Sequence, residues 1–374
     1  MERIESQIAD SQKLAKQILS WITCAVRPIT TLELQYALAV EVSESEFDTE
    51  NLSDVEDIIS VCAGLVTVDE QSDIIRLVHY TTQEYFKRTQ KHWFPNAQTD
   101  MAATSVTYLS FDIFKTGFCL TDEEFEERLQ LNPLYDYAAR NWGHHARAAS
   151  TEVEWVKMEQ LILSFLESEA KVSACIQAMM ASKEYLSNSG YSQRVPRQMT
   201  GIHLAAYFGL KEVITALLKN GYDPESKDSY IRTALSYAAE KGHDEVVKLL
   251  LEKDGIDLNS KSTNSQTALS YAAWNGHNEV VKLLVKKDGI DLNSKDTLGN
   301  QTALSYAAEK GHDTVVKLLL EKDGIDLNSK DTYGQTALSY AAWKGDDTVV
   351  QLLLEKGAES SQELDVARSC TWGS

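Results

Sequence analysis

An internal repeat with closely similar copies fills the C-terminal half of this chain of 374 residues. The pattern Thr-x-x-x-x-Ala-Ala recurs with spacings of 33, 34, 35 and 34 residues, and its copies begin at Thr200, Thr233, Thr267, Thr302 and Thr336. A unit of this size cannot bury its apolar side alone and has to stack on its neighbours. The sequence therefore predicts a solenoid of five units over residues 196–358.

Each unit has the pattern of two helices and a turn. In "TALSYAAEKGHDEVVKLLLEKDGIDLNSK", the apolar positions of 235–239 have helical spacing, and Gly242 can end that helix in a left-handed conformation. A second apolar helix over 244–251 follows. Gly255 and Asn259 then favour a turn or hairpin that leads to the next unit.

This unit resembles the ankyrin repeat, with its Thr-Pro-Leu-His-x-Ala-Ala, Gly-His and Val-Val-x-Leu-Leu-Leu segments. Ala234 and Ser236 depart from the family's Pro and His, which implies weaker Thr to His bonding, retained only at His203. Three copies also insert one residue before the turn glycine, namely Asp254, Asp288 and Asp323. The resemblance implies a non-catalytic stack that binds a protein partner on its concave face, through the turn tips and the first helices.

Two sets of positions vary between copies that are otherwise nearly identical. Residues 233–261 and 302–330 differ only at Glu245 and Thr314, whereas the end of the first helix and the turn tips, Asn264 included, change from copy to copy. The ankyrin family uses these positions for partner contact. The residues that we expect to bind a partner are Trp274, Trp343, Tyr207, Phe208, Tyr230, Leu298, Tyr333, Glu240 and Glu309.

The alternative for these positions is neutral drift in solvent, which is as good an explanation for a single Tyr or Leu. The two tryptophans favour binding, because exposed Trp is uncommon on monomers and enriched in interface hot spots. Helices pack ~10 Å apart, so Trp274 and Trp343 should lie on the order of 20 Å apart on one face. The tyrosines that recur unchanged are instead expected to pack inside the stack: Tyr237, Tyr271, Tyr306 and Tyr340.

The N-terminal half begins with a pattern typical of a winged helix. A helix over 14–27 ends before Pro28, a second starts near 30, and Ser53 can cap a third that ends at Gly64. The segment "LVTVDEQSDIIRLVH" alternates around a polar turn and predicts a β-hairpin. We therefore expect a polar segment over 1–13 and a winged-helix domain over 14–92.

Charge argues against nucleic acid and membranes as partners. Between Pro28 and His79 the chain has twelve acidic residues and one basic residue, Arg76, and the whole chain carries a net charge of -20. Phosphate groups would be repelled by such a surface. No signal peptide or membrane segment is recognisable, and the five scattered cysteines form no C-x-x-C pair. We expect a cytoplasmic protein with no cofactor.

Residues 10–150 resemble the C-terminal part of fungal NACHT-ankyrin proteins, which are NOD-like signalling ATPases. The similarity lies in "LAKQILSWITCAVRPITTLELQYALAVE", "LVHYTTQEYF" and "TDEEFEERLQLNPLYDYAARNWGHHA", and it implies a winged helix of the type labelled after a GPI inositol-deacylase. It also implies that His79, with Glu84 and Tyr85, occupies the position of a histidine that contacts the phosphate of bound ADP, and so senses nucleotide.

Two motifs of catalysis are absent from the sequence. It has no G-x-x-x-x-G-K-[ST] and no G-x-S-x-G, so neither phosphate binding by a P-loop nor serine-based deacylation is expected. We expect a non-enzyme in NOD-like signalling or non-self recognition. The alternative is the regulatory half of a NACHT ATPase that acts in trans or was lost by truncation, and the chain could be a truncated relative, an alternative product or a fragment.

Residues 93–195 are predicted to form a helical adaptor. A capping box at Thr121 to Glu124 and a helix start at Asn132-Pro133 mark two of its helices. The adjacent pair His144 and His145 is not expected to bind metal, since neighbouring helical residues point about 100° apart. Residues 359–374 form a tail that gives the last repeat only a thin cap.

Overall fold

The computed structural model describes residues 1–42, 44–149, 155–183 and 190–359. The chain divides into two compact units, Met1–Gly201 and Ile202–Ser374. The described part contains twenty α-helices and one sheet of two strands, which confirms the mainly α-helical class predicted from the sequence. The predicted tail falls almost wholly outside the described residues.

The first unit opens with a short helix, and the three helices and the hairpin that follow it form the predicted winged helix. Its elements are α1 (Glu2–Glu5), α2 (Ala9–Cys24), α3 (Thr31–Ala39), α4 (Val55–Val61), β1 (Val66–Asp69), β2 (Ile74–Leu77) and α5 (Tyr80–Trp93). The strands are antiparallel, with Val66 opposite Leu77. Val66, Ile75 and Leu77 are buried, so the alternation of apolar residues in the sequence fixes which face of the hairpin packs inward.

Two local predictions for this unit are wrong. Helix α2 begins at Ala9, not Leu14, and Ile4 before it is fully buried, so residues 1–13 contribute to the core. The residue that precedes α4 is Asp54, not Ser53, and its side chain makes no capping hydrogen bond. The strong cap lies at α3, where the Thr30 hydroxyl accepts from the Glu33 amide and the Glu33 carboxylate accepts from the Thr30 amide.

The rest of the first unit is helical, as predicted. Its helices are α6 (Ala97–Leu109), α7 (Asp122–Leu131), α8 (Tyr135–Ala149), α9 (Trp155–Leu166) and α10 (Glu169–Met180). Thr121 caps α7, although Glu124 accepts from the Leu120 amide and so does not close a reciprocal box. Aromatic side chains fill the interior; the rings of Phe114 and Tyr135, for example, stack with centroids 4.6 Å apart.

The repeats form five helix pairs. The first helices, which we call the inner helices, are α11 (Gly201–Phe208), α13 (Ala234–Lys241), α15 (Ala268–Trp274), α17 (Ala303–Lys310) and α19 (Ala337–Lys344). The second or outer helices are α12 (Lys211–Lys219), α14 (Asp244–Leu251), α16 (Asn278–Leu284), α18 (Asp313–Leu320) and α20 (Asp347–Glu355). From α13 onward each inner helix packs on the next, and so does each outer helix from α12 onward. Buried alanines such as Ala238 and Ala239 permit this close approach.

Histidines connect successive repeats. The Nε2 atom of His243 donates to the Tyr207 carbonyl, that of His277 to Glu240, and that of His312 to Trp274, at 2.9, 2.9 and 3.0 Å. Each of these rings lies against the left-handed glycine of the preceding repeat. A Cβ added to Gly242 would lie 2.6 Å from the His277 ring, so only glycine fits there.

The serine that replaces the family's histidine caps the first helix of its own repeat. In the second repeat the Ser236 amide donates to the Thr233 hydroxyl, and the Thr233 amide donates to the Ser236 hydroxyl. The N-terminus of α13 is therefore capped from both sides. His203 in the first copy donates to the carbonyls of Ser226 and Arg232, at 2.9 and 3.1 Å.

Candidate functional site

A groove of about 660 Å³ lies in the second unit, between the inner helices and the turn tips. Its walls come from helices α13, α15 and α17 and from the turns that precede them. Four residues that were expected to bind a partner are among its lining residues, which are Tyr230, Arg232, Glu240, Ser262, Thr263, Asn264, Gln266, Tyr271, Trp274, Asn275, Leu298 and Tyr306. The structure thus brings Tyr230, Glu240, Trp274 and Leu298 together at one site.

Trp274 is held in place by the following repeat. Its ring meets the Tyr306 ring edge-on, with centroids 4.9 Å apart and an interplanar angle of 83°. The Lys310 ammonium nitrogen lies 3.7 Å from the Trp274 ring centroid, within the range of a cation–π contact. The side chain remains 38% exposed towards the groove. Trp274 therefore offers a large apolar surface in a fixed orientation.

Trp343 occupies the same position of its own repeat but not the same environment. It is 85% exposed, and no described residue stacks on its ring or places a cation over it. It also lies outside the lining of the groove. The two tryptophans occupy equivalent positions of their repeats, but they differ in solvent exposure and in the side chains that contact their rings.

The two glutamates that alternate with the tryptophans already have partners within the stack. Glu240 pairs with Arg232 and, at 3.1 Å, with Lys241. Burial would raise the pKa of Glu240, but the attraction of Arg232 and then of Lys241 outweighs it and holds the pKa below its usual value. Glu309 accepts from Gln301 at 2.9 Å and pairs with Lys310 at 3.2 Å. Both carboxylates thus hold cations beside the inner helices.

The other candidates divide into surface and core. Phe208 is only 1% exposed and packs inside the stack, so its prediction as a partner contact is wrong: the adjacent Tyr207, half-buried, is the ring that reaches the surface of α11. The Lys241 ammonium lies 4.6 Å from the Tyr207 ring centroid. At the turn tips, Leu298 and Tyr333 are largely exposed.

A pairing of tyrosine and aspartate braces three of the repeats, and it was not foreseen from the sequence. The Tyr237 hydroxyl donates to the Asp228 carboxylate at 2.5 Å, and the other oxygen of Asp228 accepts from two turn amides. The same arrangement joins Tyr306 to Asp296 and Tyr340 to Asp331. The recurrent aspartate nine or ten residues before each tyrosine was the available signal.

Of the four recurring tyrosines that were predicted to pack inside the stack, two are fully buried and two are not. Tyr237 and Tyr306 are buried, whereas Tyr271 and Tyr340 are half-buried. Burial first, and the nearby aspartate next, raise the pKa of Tyr306 above its usual range, so its hydroxyl stays protonated as a donor. Arg232 lies between two of these rings, 4.0 Å from the Tyr237 centroid and 4.5 Å from the Tyr271 centroid.

The histidines of the first unit have two different settings. His79 precedes α5 and is exposed, with its ring 6.2 Å from that of Tyr80; Glu84 and Tyr85 lie on the same helix and are exposed as well. His145 is buried, bonded to the Tyr137 hydroxyl at 2.9 Å and to the Gln98 side chain at 2.7 Å.

No metal site is found among the described residues. They contain no group of three or more His, Cys, Asp or Glu side chains that could hold a metal ion. Burial lowers the pKa of His145 to about 4 and raises the pKa of the Cys62 thiol to about 12, which keeps both groups neutral near pH 7.

A row of nearly identical helix pairs with a groove between inner helices and turn tips defines an ankyrin-repeat stack. Comparison with known families agrees: a model of ankyrin repeats matches residues 202–296 and 296–363. A model of the GPI inositol-deacylase winged helix domain matches residues 1–102. The chain thus contains a winged helix domain of this type followed by ankyrin repeats, which are non-catalytic modules for binding proteins.

Among the described residues, no helix is both long and apolar enough to cross a bilayer.

Proposed function

We propose that this chain is a non-enzymatic protein that binds a protein partner through the groove centred on Trp274. The observation that carries the proposal is the setting of Trp274: a large aromatic side chain, partly exposed, fixed by Tyr306 and Lys310. Side chains at binding hot spots are enriched in Trp, and each can contribute ~2 kcal/mol or more. A ring that is already ordered loses little conformational entropy on binding.

Other residues extend the proposed contact surface along the stack. Leu298 and Tyr230 line the same groove, while Tyr207, Tyr333 and Trp343 lie on neighbouring inner helices or tips. Glu240 and Glu309 support this surface by holding Arg232 and Lys310. The expected partner is therefore a protein segment that lies along the inner helices.

The test replaces Trp274 and Trp343 by Ala, singly and together, and measures retention of the partner in a pull-down. Loss of ~2 kcal/mol at Trp274 weakens binding about thirtyfold. Lys248→Ala, an exposed change on outer helix α14, is the matched control. Circular dichroism should show unchanged helical content. Equal retention by all variants would contradict the proposal.

We further propose that binding serves NOD-like signalling or non-self recognition in the cytoplasm. The support is the winged helix domain before the repeats, together with the sequence resemblance of residues 10–150 to fungal NACHT-ankyrin proteins. The exposed residues of α4 include Glu56 and Asp57, which favours a protein partner over DNA for this domain. A DNA-retention assay at moderate salt tests the last point, and we expect no retention.

The second candidate function is regulation of a NACHT nucleotide-binding domain in trans. It is favoured by the exposure of His79 at the start of α5, where an imidazole could donate to a phosphate of ADP. The test mixes the chain with a purified NACHT domain and measures ADP release. We expect His79→Ala to change the release rate, and His92→Ala, an exposed histidine on the same helix, to leave it unchanged.

A further inference from the structure

The third repeat lacks the carboxylate that braces the inner-helix tyrosine elsewhere. Asp228, Asp296 and Asp331 accept the tyrosine hydroxyl in the second, fourth and fifth repeats. Ser262 stands at the equivalent position of the third repeat, nine residues before Tyr271. The shorter side chain cannot reproduce the two oxygens of an aspartate.

Two hydrogen-bond donors lose their acceptor as a result. Among the described residues, the Ser262 hydroxyl accepts only from the Gln266 amide, at 3.2 Å. In the other repeats the amide two residues after the aspartate donates to it, as the Leu298 amide does to Asp296 at 2.7 Å. The corresponding Asn264 amide and the Tyr271 hydroxyl have no acceptor among the described residues.

Ser262, which stands where the other repeats have an aspartate, lies in the wall of the groove. Ser262, Asn264, Tyr271 and Trp274 all line it, and the Arg232 guanidinium carbon is 4.5 Å from the Tyr271 ring centroid. Donors, a cation and an exposed aromatic surface therefore converge on one place. The other repeats show that this backbone geometry accommodates a carboxylate, because an aspartate of the chain occupies it there.

We propose that the groove binds an extended segment of the protein partner in which an Asp or Glu adjoins an apolar residue. The partner's carboxylate takes the place of the missing aspartate and accepts from the Tyr271 hydroxyl and the Asn264 amide, beside Arg232. The adjoining apolar side chain packs on the exposed part of Trp274. This inference rests on the proposed function, since it names the chemistry that the same groove recognises.

The charges that a carboxylate of the partner would meet in the groove differ from the charge of the whole chain. The chain as a whole is acidic, with a net charge of -20, but the groove is lined by one cation and one anion, Arg232 and Glu240, and Lys310 lies over Trp274. A single carboxylate can therefore enter without facing an unpaired acidic group of the lining. A strongly acidic segment would still be repelled by the rest of the surface.

The experiment selects displayed random peptides on the full chain and measures their binding to four variants. Ser262→Asp and Ser262→Asn both refill the vacant position, one with and one without charge, and neither should disturb folding because Asp stands there in three repeats. Ser262→Ala leaves the position vacant. Trp274→Glu removes the aromatic surface. Glutamate is compatible with the fold at this position, because Glu240 and Glu309 occupy it in the second and fourth repeats.

We expect the selected peptides to share an Asp or Glu next to an apolar residue. Their affinity should fall at least about tenfold on Ser262→Asp and Ser262→Asn, stay within about twofold on Ser262→Ala, and fall when the peptide's Asp or Glu becomes Asn or Gln. Peptides that depend on Trp274 but not on position 262 would overturn this inference and leave the proposed function standing. Failure to select any peptide that depends on either residue would overturn both.

Discussion

The ring of Trp274 meets the ring of Tyr306, which belongs to the next repeat, with centroids 4.9 Å apart at an angle of 83°. Trp343 has no such neighbour among the described residues and is 85% exposed, compared with 38% for Trp274. The same residue type at the same position of the repeat thus packs against the next repeat in one case and is exposed to solvent in the other. We therefore expect the two tryptophans to differ in their contribution to the stability of the repeats.

Trp274→Ala is expected to destabilise the repeats, whereas Trp343→Ala is not. Loss of the aromatic contact and of partial burial should cost about 2 kcal/mol at Trp274. At the exposed Trp343 the cost should stay within about 0.5 kcal/mol. Urea unfolding followed by circular dichroism measures both. Equal shifts of the two midpoints would show that the contact with Tyr306 contributes nothing.

Ser262→Asp is expected to stabilise the third repeat. The new carboxylate would accept from the Tyr271 hydroxyl and the Asn264 amide, which should add about 1 kcal/mol after the cost of desolvation. The reverse change, Asp296→Ser in the fourth repeat, should cost at least as much, since it leaves the buried Tyr306 hydroxyl with a weaker partner. Denaturant midpoints of the two variants should therefore move in opposite directions from wild type.

Gly276→Ala and Gly345→Ala separate backbone strain from steric contact. Both glycines are left-handed, with φ of 72° and 75°, so alanine costs each of them roughly 1 kcal/mol. A Cβ at Gly276 would also lie 2.7 Å from the His312 ring, whereas nothing lies within 4 Å at Gly345. We expect Gly276→Ala to be more destabilising by about 1 kcal/mol, through the disturbed His312 hydrogen bond. Equal losses would refute a tight contact.

The free energy of unfolding of the first unit should decrease as the pH is lowered, because His145 gains a proton more readily in the unfolded chain. Burial lowers the pKa of this imidazole to about 4, below the value of 6.5 for an exposed histidine. The unfolded chain therefore binds a proton first, so this contribution is complete above pH 6.5 and is lost as the pH falls from 6.5 towards 4. The loss can reach ~3 kcal/mol.

The measurement for His145 compares urea midpoints at several pH values with those of His145→Gln. The glutamine can keep a polar contact with Tyr137 but has no proton to gain in this range. Wild type should lose more stability than the variant on acidification. Parallel pH profiles would mean that His145 does not titrate on unfolding.

Much of the fold follows from the sequence because its signals are local and repeated. Five copies of one pattern predict five helix pairs, and alternation over 66–77 predicts the hairpin. The left-handed glycines and the buried alanines of each unit are likewise local features. Errors occur at boundaries, as at Ala9, where a polar first turn hides the start of an apolar helix.

The site was less predictable because contacts across repeats decide it. Phe208 and Tyr207 are adjacent in the sequence, but only the three-dimensional packing shows which ring is buried. The role of Glu240 depends on Arg232, eight residues away, and that of Trp274 on Tyr306 in the next repeat. Variation between copies indicated several residues of the groove lining. Only the three-dimensional contacts show which of them are exposed, which are buried and which hold a neighbouring side chain.

A partner that lies in the groove beside Trp274 can be captured there by site-specific photo-crosslinking in native cells. A benzoylphenylalanine placed at Leu298, an exposed residue of the groove lining, should yield one protein adduct. The same probe at Glu279, exposed on outer helix α16, should not. We expect Trp274→Glu to abolish the adduct from position 298. An adduct that persists in this variant, or one that forms equally from position 279, would show that the partner does not bind in the groove beside Trp274.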